Sequence, residues 1–385
     1  MTTLSEVLRE RGYVHQHSSP IEEITDGPKR TLYLGVDPSA DSMHAGQLMS
    51  TLVLRRFVED GHKLIVLLGG GTGMIGDPGG KSDERNLLET KVLEDNTEAL
   101  RKQLKQLLGG VEFAMVNNAD WLGALNYLEF LRDIGKHFSV NEMIKRDSVR
   151  LRLEASEQGI SYTEFSYMLL QAYDFLELHT RHGCDLQVGG SDQWGNIVSG
   201  VDLIRRKTGD KAYAFSWPLL ADKTGKKFGK SEGNAVWLSA QKTTPFDFYQ
   251  FWFNMADDEV EEFLLKMTLL PKAEIDEVMA AQKADPTARP AQKKLAHEVT
   301  ALVHGAQEAD KAKELKNMPT VPAGKLRDAI KDVSTSELRR LVEQGAVSVG
   351  NGEKISSIDA QVNSGSVIRI GKNKFYQVIA PMQDR

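Results

Sequence analysis

Thr31-Leu32-Tyr33-Leu34-Gly35-Val36 is a short run rich in β-formers, and Asp37-Pro38-Ser39-Ala40-Asp41-Ser42-Met43-His44-Ala45-Gly46-Gln47 follows it as a polar turn. A helical stretch from about Gly46 to Glu59 comes next. The same alternation continues outward. Lys63 to Leu68 reads as a second strand, ending in a glycine loop, and Val111 to Val116 and Asp185 to Val188 are further strand candidates separated by amphipathic helical patterns. Strand–helix alternation over residues 30–220 predicts an α/β domain with a mostly parallel sheet, whose ligands bind at the carboxyl ends of the strands.

Beyond Pro245 the texture changes. Glu259 to Met267, Ala273 to Gln282 and Ala291 to Val303 carry helical periods with no convincing strand, and Pro271, Pro286 and Pro290 fall at helix starts, where proline is tolerated. Asn317-Met318-Pro319-Thr320-Val321-Pro322-Ala323-Gly324 reads as a linker. The remainder shows two short helical patterns and β-like runs around Ser348, Val367 to Ile370 and Phe375 to Ile379.

Composition bounds the possibilities. A chain of 385 residues with 41% apolar and 26% charged residues has room for two or three folded domains and is not a disordered chain. Its longest plain apolar run, Leu64 to Leu68, is far short of the ~20 residues of a membrane span, and Met1-Thr2-Thr3-Leu4-Ser5-Glu6 has no basic-then-apolar leader. The single cysteine, Cys184, excludes an intramolecular disulfide and suits a reducing, cytoplasmic compartment. The net charge of −6 argues at first against a nucleic-acid partner. From Ala323 onward, however, ten basic residues face seven acidic ones, a balance of +3 that leaves −9 for residues 1–322. A basic module behind a linker suits RNA contact.

Five motifs concentrate the chemistry. Gly71-Thr72-Gly73-Met74-Ile75-Gly76 has the spacing of a dinucleotide fingerprint, but Asp77-Pro78-Gly79-Gly80 cannot continue the helix which that fingerprint requires. In the turn after the first strand, a helix N-terminus offers backbone N–H groups to phosphate, and His44 adds a donor. Ser161 and Glu164 are spaced as a capping box, after which Tyr167, Gln171 and Asp174 fall on one face of an otherwise apolar helix, so this polar stripe is expected to face a cavity. Gln187-Val188-Gly189-Gly190-Ser191-Asp192-Gln193-Trp194-Gly195-Asn196 is another strand-to-glycine turn. Lys223-Thr224-Gly225-Lys226-Lys227-Phe228-Gly229-Lys230-Ser231 is a basic loop fit to close over polyphosphate. No metal site is expected: His179, His182 and Cys184 lie close in sequence but lack zinc-ligand spacing.

In this order the motifs closely resemble bacterial-type tyrosyl-tRNA synthetase, a class I aminoacyl-tRNA synthetase. His44-Ala45-Gly46-Gln47 resembles the family's HIGH element and Lys227-Phe228-Gly229-Lys230-Ser231 its KMSKS loop. The resemblance implies a Rossmann-like catalytic domain over 1–222, with a dimer-interface insertion near 120–160. It further implies the lysine loop and an α-helical domain over 223–316, and an S4-like RNA-binding domain of α+β type over 323–385. The implied activity is a tyrosine–tRNA ligase that makes tyrosyl-adenylate from tyrosine and ATP, then charges tRNA(Tyr). ATP with Mg2+ would be a substrate, and the enzyme would be a homodimer away from membranes.

The resemblance also assigns residues. Tyr33 and Asp174 would hold the substrate's phenol hydroxyl; Asp77, Tyr167 and Gln171 its ammonium group; Gln193 would sit near the reacting carboxylate. Gly35, Asp37, Gly190 and Asp192 would contact the adenylate. Ser39, His44, Lys81, Arg85, Lys227 and Lys230 would serve the phosphates, Gln47 and Ser231 would join the catalytic set, and Gly46 would serve ATP by leaving space for its base. Three positions depart from relatives: Gln47 replaces the second histidine of HIGH, Leu34 a cysteine near the ribose, and Ser231 a threonine. Two other readings remain open at this point, an RNA-binding protein on the synthetase scaffold and an adenylating paralogue that charges no tRNA.

Overall fold

Six strands form the first sheet: β1 (Gln16–His17), β2 (Thr31–Val36), β3 (Lys63–Leu68), β4 (Ala114–Asn117), β5 (Leu186–Gly190) and β6 (Tyr213–Trp217). Their spatial order is β1-β6-β5-β2-β3-β4. Every neighbouring pair is parallel except β1 with β6. This computed structural model describes residues 2–77, 90–146, 149–150, 153, 159–220, 230–231, 234–316, 319–349, 353–371 and 374–379. The chain runs from β2 outward through β3 and β4, then crosses back to start β5 on the other flank of β2. That reversal puts a topological switch point, where open α/β sheets bind ligands, between the carboxyl ends of β2 and β5.

The sequence reading meets this sheet closely at β2 and β3. The third expected strand lies at Ala114–Asn117 and not from Val111, because Val111 to Phe113 pair with nothing in the sheet. Two strands had no expectation attached: β1, only two residues long, and β6, whose Tyr213 to Trp217 are buried on both faces and therefore show no alternation.

Two helices carry residues to the switch point. Ala45–Glu59 follows β2 and buries Leu48, Leu52 and Phe57 completely. Tyr162–His182 opens with the expected Ser161/Glu164 capping box and ends where Gly183 takes φ +64°, a left-handed C-cap. The second helix packs against Trp194–Thr208 so closely that a Cβ on Gly200 would lie 2.8 Å from Phe175 Cδ1. Phe175 is fully buried there, worth roughly 2–3 kcal/mol of apolar transfer.

Helices Pro245–Phe253, Val260–Met267, Lys272–Ala284 and Pro290–His304 follow, with Pro271 as an N-cap and Pro290 as a first helical residue. The N-terminal segment fastens them. The buried Arg11 guanidinium donates to the carbonyls of Leu265 and Thr268 (both 2.7 Å) and Leu270, and Tyr13 Oη donates to Lys266 O at 2.8 Å. The carbonyls of Leu265 and Lys266 are among those that a helix leaves orphaned in its last turn, and Thr268 and Leu270 follow just beyond it.

The chain divides into two compact units, Met1–His304 and Gly305–Arg385, at a glycine whose φ of +91° ends one helix before Ala306–Lys316 begins. The second unit has a five-stranded sheet in the order Glu353–Lys354, Val347–Val349, Val367–Ile370, Lys374–Ile379, Thr320–Pro322. Helices Leu326–Ala329 and Thr335–Glu343 accompany it, around a core that includes Leu326, Leu338, Val347, Ile368 and Val378. The linker expectation is corrected here. Val321 and its neighbours pair in parallel with Lys374–Ile379, and Val321 is buried. Two prolines in five residues disguise an edge strand, the one sheet position where proline is accommodated.

Candidate active site

At the switch point, β2 places Tyr33 on the face covered by Tyr162–His182, with its ring 5.2 Å from that of Phe175. Tyr33 is 1% exposed, and its hydroxyl has no hydrogen-bond partner among the described residues. Gln187, register partner of Tyr33 on β5, is equally buried, and its Oε1 is also unpartnered. So is Gln171 Oε1, one helical turn before Asp174. Leaving a buried polar group unpaired costs about 1–3 kcal/mol, so three on the strands and helix that meet at the switch point need an explanation. A polar ligand that completes them supplies it.

Asp174 is 1% exposed and holds two donors: Trp121 Nε1 at 2.7 Å and Asn118 Nδ2 at 2.9 Å. Burial pushes its carboxyl up to about 7, against the opposing pull of the bonds from Asn118 and Trp121. Burial, and then the charge of Asp174, push the Tyr33 phenol well above its ordinary value. The two side chains thus share one electrostatic environment, suited to a neutral molecule with its own hydroxyl. Asn118 spends its amide fully: Nδ2 also donates to Thr72 Oγ1 at 2.8 Å, and Oδ1 accepts from Gly71 N at 2.7 Å. The glycine loop is therefore tied to Asp174 through one buried side chain. Tyr167 is 9% exposed on the same helix.

Asn118, Trp121 and Gln187 were missed by sequence reasoning. Asn118 follows directly on β4 and Trp121 lies in the short helix Ala119–Leu122 after it, so the rule that ligands gather at carboxyl strand ends pointed to them. Asp77 and Gln193, expected in separate roles, are joined: Gln193 Nε2 donates to Asp77 Oδ2 at 2.7 Å, and Asn196 Nδ2 donates to Gln193 Oε1 at 3.3 Å.

The loop after β2 forms the other half. His44 is the N-cap of Ala45–Glu59; its Nδ1 accepts from Gly46 N at 3.1 Å. An imidazole that accepts at Nδ1 carries its proton at Nε2, so the cap fixes the tautomer in which Nε2 is the donor. Gln47 completes the box, its Oε1 accepting from His44 N at 3.1 Å. The residue that replaces the second histidine accepts a hydrogen bond here and braces the first. Asp37 lies over the glycine loop, where a Cβ on Gly69 would collide with its Oδ1. Ser39 N donates to Asp37 O at 2.8 Å. Gly35 faces open space at the end of β2, whereas a Cβ at Gly190 would come within 2.8 Å of Asp192 Oδ1. Lys81, Arg85 and Lys227 lie outside the described residues. Lys230 and Ser231 form a two-residue strand against Asn234–Ala235.

Comparisons agree with this geometry. The family described as tRNA synthetases class I (W and Y) matches residues 26–318. A tyrosine–tRNA ligase from Roseiflexus castenholzii is 46% identical over 375 residues, covering 95% of this chain and 87% of that protein. One from Clostridium botulinum is 42% identical over 411 residues, covering 98% of this chain and the whole of its own. Among solved structures, a C-terminally truncated mitochondrial tyrosyl-tRNA synthetase from Aspergillus nidulans superposes with a TM-score of 0.72 at 33% identity, over 82% of this chain and 93% of that one.

Proposed function

The chain belongs to the class I tRNA synthetases for tryptophan and tyrosine, and within them to the tyrosine–tRNA ligases; from that premise we propose how its residues divide the work. Tyrosine is activated with ATP to tyrosyl-adenylate, and the tyrosyl group passes to the 3′ end of tRNA. The observation that carries the division is the buried trio of unpartnered polar atoms, Tyr33 Oη, Gln171 Oε1 and Gln187 Oε1, beside Asp174.

The substrate's phenol hydroxyl donates to Asp174 and meets Tyr33, while Gln171, Tyr167 and Asp77 receive its ammonium group. Phenylalanine would leave Tyr33 Oη unpaired and give the buried Asp174 no third donor, which is how a hydroxyl is selected. Gln193, held by Asp77, orients the carboxylate that attacks the α-phosphorus. One carboxylate oxygen bonds to that phosphorus as the bond to pyrophosphate breaks. No protein nucleophile is needed, so positioning and charge neutralisation supply the catalysis. Gly35, Asp37, Gly190 and Asp192 take the adenosine and ribose. His44 Nε2–H and Ser39 take the phosphates, and Gly46 leaves space for the base; the N–H groups of Ala45, Gly46 and Gln47 are already bonded to Val236 O, His44 Nδ1 and His44 O. Lys81, Arg85, Lys227, Lys230 and Ser231 complete the phosphate site. Magnesium arrives with ATP as part of the substrate.

The same reading assigns 1–222 to catalysis, 223–316 to the lysine loop and helices, and 323–385 to RNA contact. It places the enzyme in the cytoplasm as a homodimer. The dimer reading is supported by apolar side chains left exposed in and beside the 120–160 segment, including Tyr127, Val140, Tyr162 and Leu128, the last 74% exposed. Sedimentation of Leu128→Glu against the parent tests it: a shift to monomer is expected.

Tyrosine-dependent ATP–pyrophosphate exchange, run beside phenylalanine and tryptophan, tests the central reading. Exchange with tyrosine alone, followed by charging of tRNA(Tyr), is expected. Exchange without charging would mark an adenylating paralogue, and no exchange a pure RNA binder.

A further inference from the structure

The loop 37–44 has no strand beside it in the main sheet, yet the backbone around its buried Pro38, Ser42 and Met43 must find partners. Part of the solution comes from residues 236–239. Ala45 N donates to Val236 O and Leu238 N to Met43 O, both at 2.8 Å, and Ser239 N donates to Ser42 Oγ at 3.1 Å. The rest comes from the helix Thr90–Leu107. Gln103 Oε1 accepts from Met43 N at 2.9 Å, and Gln103 Nε2 donates to Ser42 Oγ at 3.0 Å. A planar side-chain amide thus offers an acceptor and a donor side by side, as a neighbouring strand's peptide groups would.

Ser42 sits at the centre. Its oxygen accepts from Gln103 and Ser239 and donates to Met43 O at 2.8 Å, which uses a hydroxyl's whole capacity. Two turns earlier on the same helix, Asn96 Nδ2 donates to Pro38 O at 3.0 Å. Positions seven apart share a helix face. Asn96 and Gln103 therefore grip the loop near both its ends, and both Asn96 and Ser42 are buried.

We infer that Gln103, aided by Asn96, is a positioning residue for the ATP half of the reaction: it sets the backbone of Ser42 and Met43, and through it the place of His44. Neither side chain bonds to any residue of the tyrosine pocket among those described above. The inference rests on the proposed reading of 37–47 as the ATP loop.

Gln103→Met keeps the length of the side chain and removes both bonds. In tyrosine-dependent exchange at saturating tyrosine, it is expected to lower kcat/KM for ATP about tenfold, and Asn96→Ala about threefold. Tyrosine binding without ATP, measured by equilibrium dialysis, should stay within twofold. Gln103→Glu keeps an acceptor for Met43 N and loses the donor to Ser42, so it should fall between Gln103→Met and the parent. A merely structural role would move both substrates together and give no such ordering. The inference is overturned if Gln103→Met leaves the ATP value within twofold, or if tyrosine binding weakens by the same factor. His44→Ala separates the two levels. If it costs ATP turnover while Gln103→Met does not, the positioning role alone fails; if it costs nothing, the reading of the loop fails too.

Discussion

The proposed tyrosine end and the proposed ATP end lie on one switch point but are built in opposite ways. Around Asp174 the site is made of side chains sealed from water, with donors from Asn118 and Trp121 and acceptors left for a ligand. Around His44 it is made of main chain, and side chains such as Gln47 and Gln103 serve mainly to hold that main chain still. Selecting a phenol requires buried groups that punish its absence, whereas holding phosphate requires a donor, here His44 Nε2–H, set by a fixed backbone. Substitutions at the first end should therefore change which amino acid reacts, and at the second how well ATP reacts.

The sharpest way to break that contrast is Asp174→Ala. It removes the phenol's acceptor and strands two buried donors, so kcat/KM for tyrosine is expected to drop about 10²–10³-fold. Preserved exclusion of phenylalanine with normal tyrosine activation would defeat the assignment. Trp121→Phe comes next. Losing its Nε1–H raises the Asp174 carboxyl further, and activation at pH 7 should fall about tenfold and recover partly at higher pH. In the parent, kcat/KM for tyrosine should rise with pH through about 7 as Asp174 ionises. Stability should show the opposite slope. A carboxyl raised in the folded state binds its proton there when the unfolded chain has already lost it. Its contribution therefore falls from the ordinary carboxyl range up to about 7 and is flat above, and Asp174→Asn should abolish that slope in urea titrations.

At the ATP end, Gln47→Ala removes the reciprocal half of the cap and should cost ATP activation about fivefold, with tyrosine binding unchanged. The smallest effect is expected from Lys242→Met. Lys242 pairs with Asp41 and lies 4.7 Å from the centre of the Trp237 ring, but the pair is partly exposed, so about a twofold loss that fades at high salt is expected in the same exchange assay.

Legibility in the sequence followed the same division. Tyr167, Gln171 and Asp174 stood out because a polar stripe, ordinarily a wet surface, is expected to face a cavity where the rest of the helix is apolar. β2 and β3 were plain for a similar reason, since unbroken apolar runs bounded by turns suit a strand buried on both faces. Gln187 was hidden in such a run, and Trp121 looked like any core aromatic until its Nε1 was seen to reach Asp174. The bonds from Gln103 to Met43 and Ser42, 60 and 61 residues apart in the chain, left no local trace at all. Nor did the strand at Thr320–Pro322, whose prolines suggested a break where pairing at an edge was possible.

The bonds from residues 236–239 to residues 42–45 also order events during synthesis. A nascent chain that has emerged as far as residue 220 already contains the side chains proposed to enclose tyrosine, from Tyr33 to Gln193. It does not yet contain Val236, Leu238 or Ser239, which hold the loop carrying His44. At roughly 5–20 residues per second, the two ends of the site are completed a second or more apart, the amino-acid pocket first and the nucleotide loop after it.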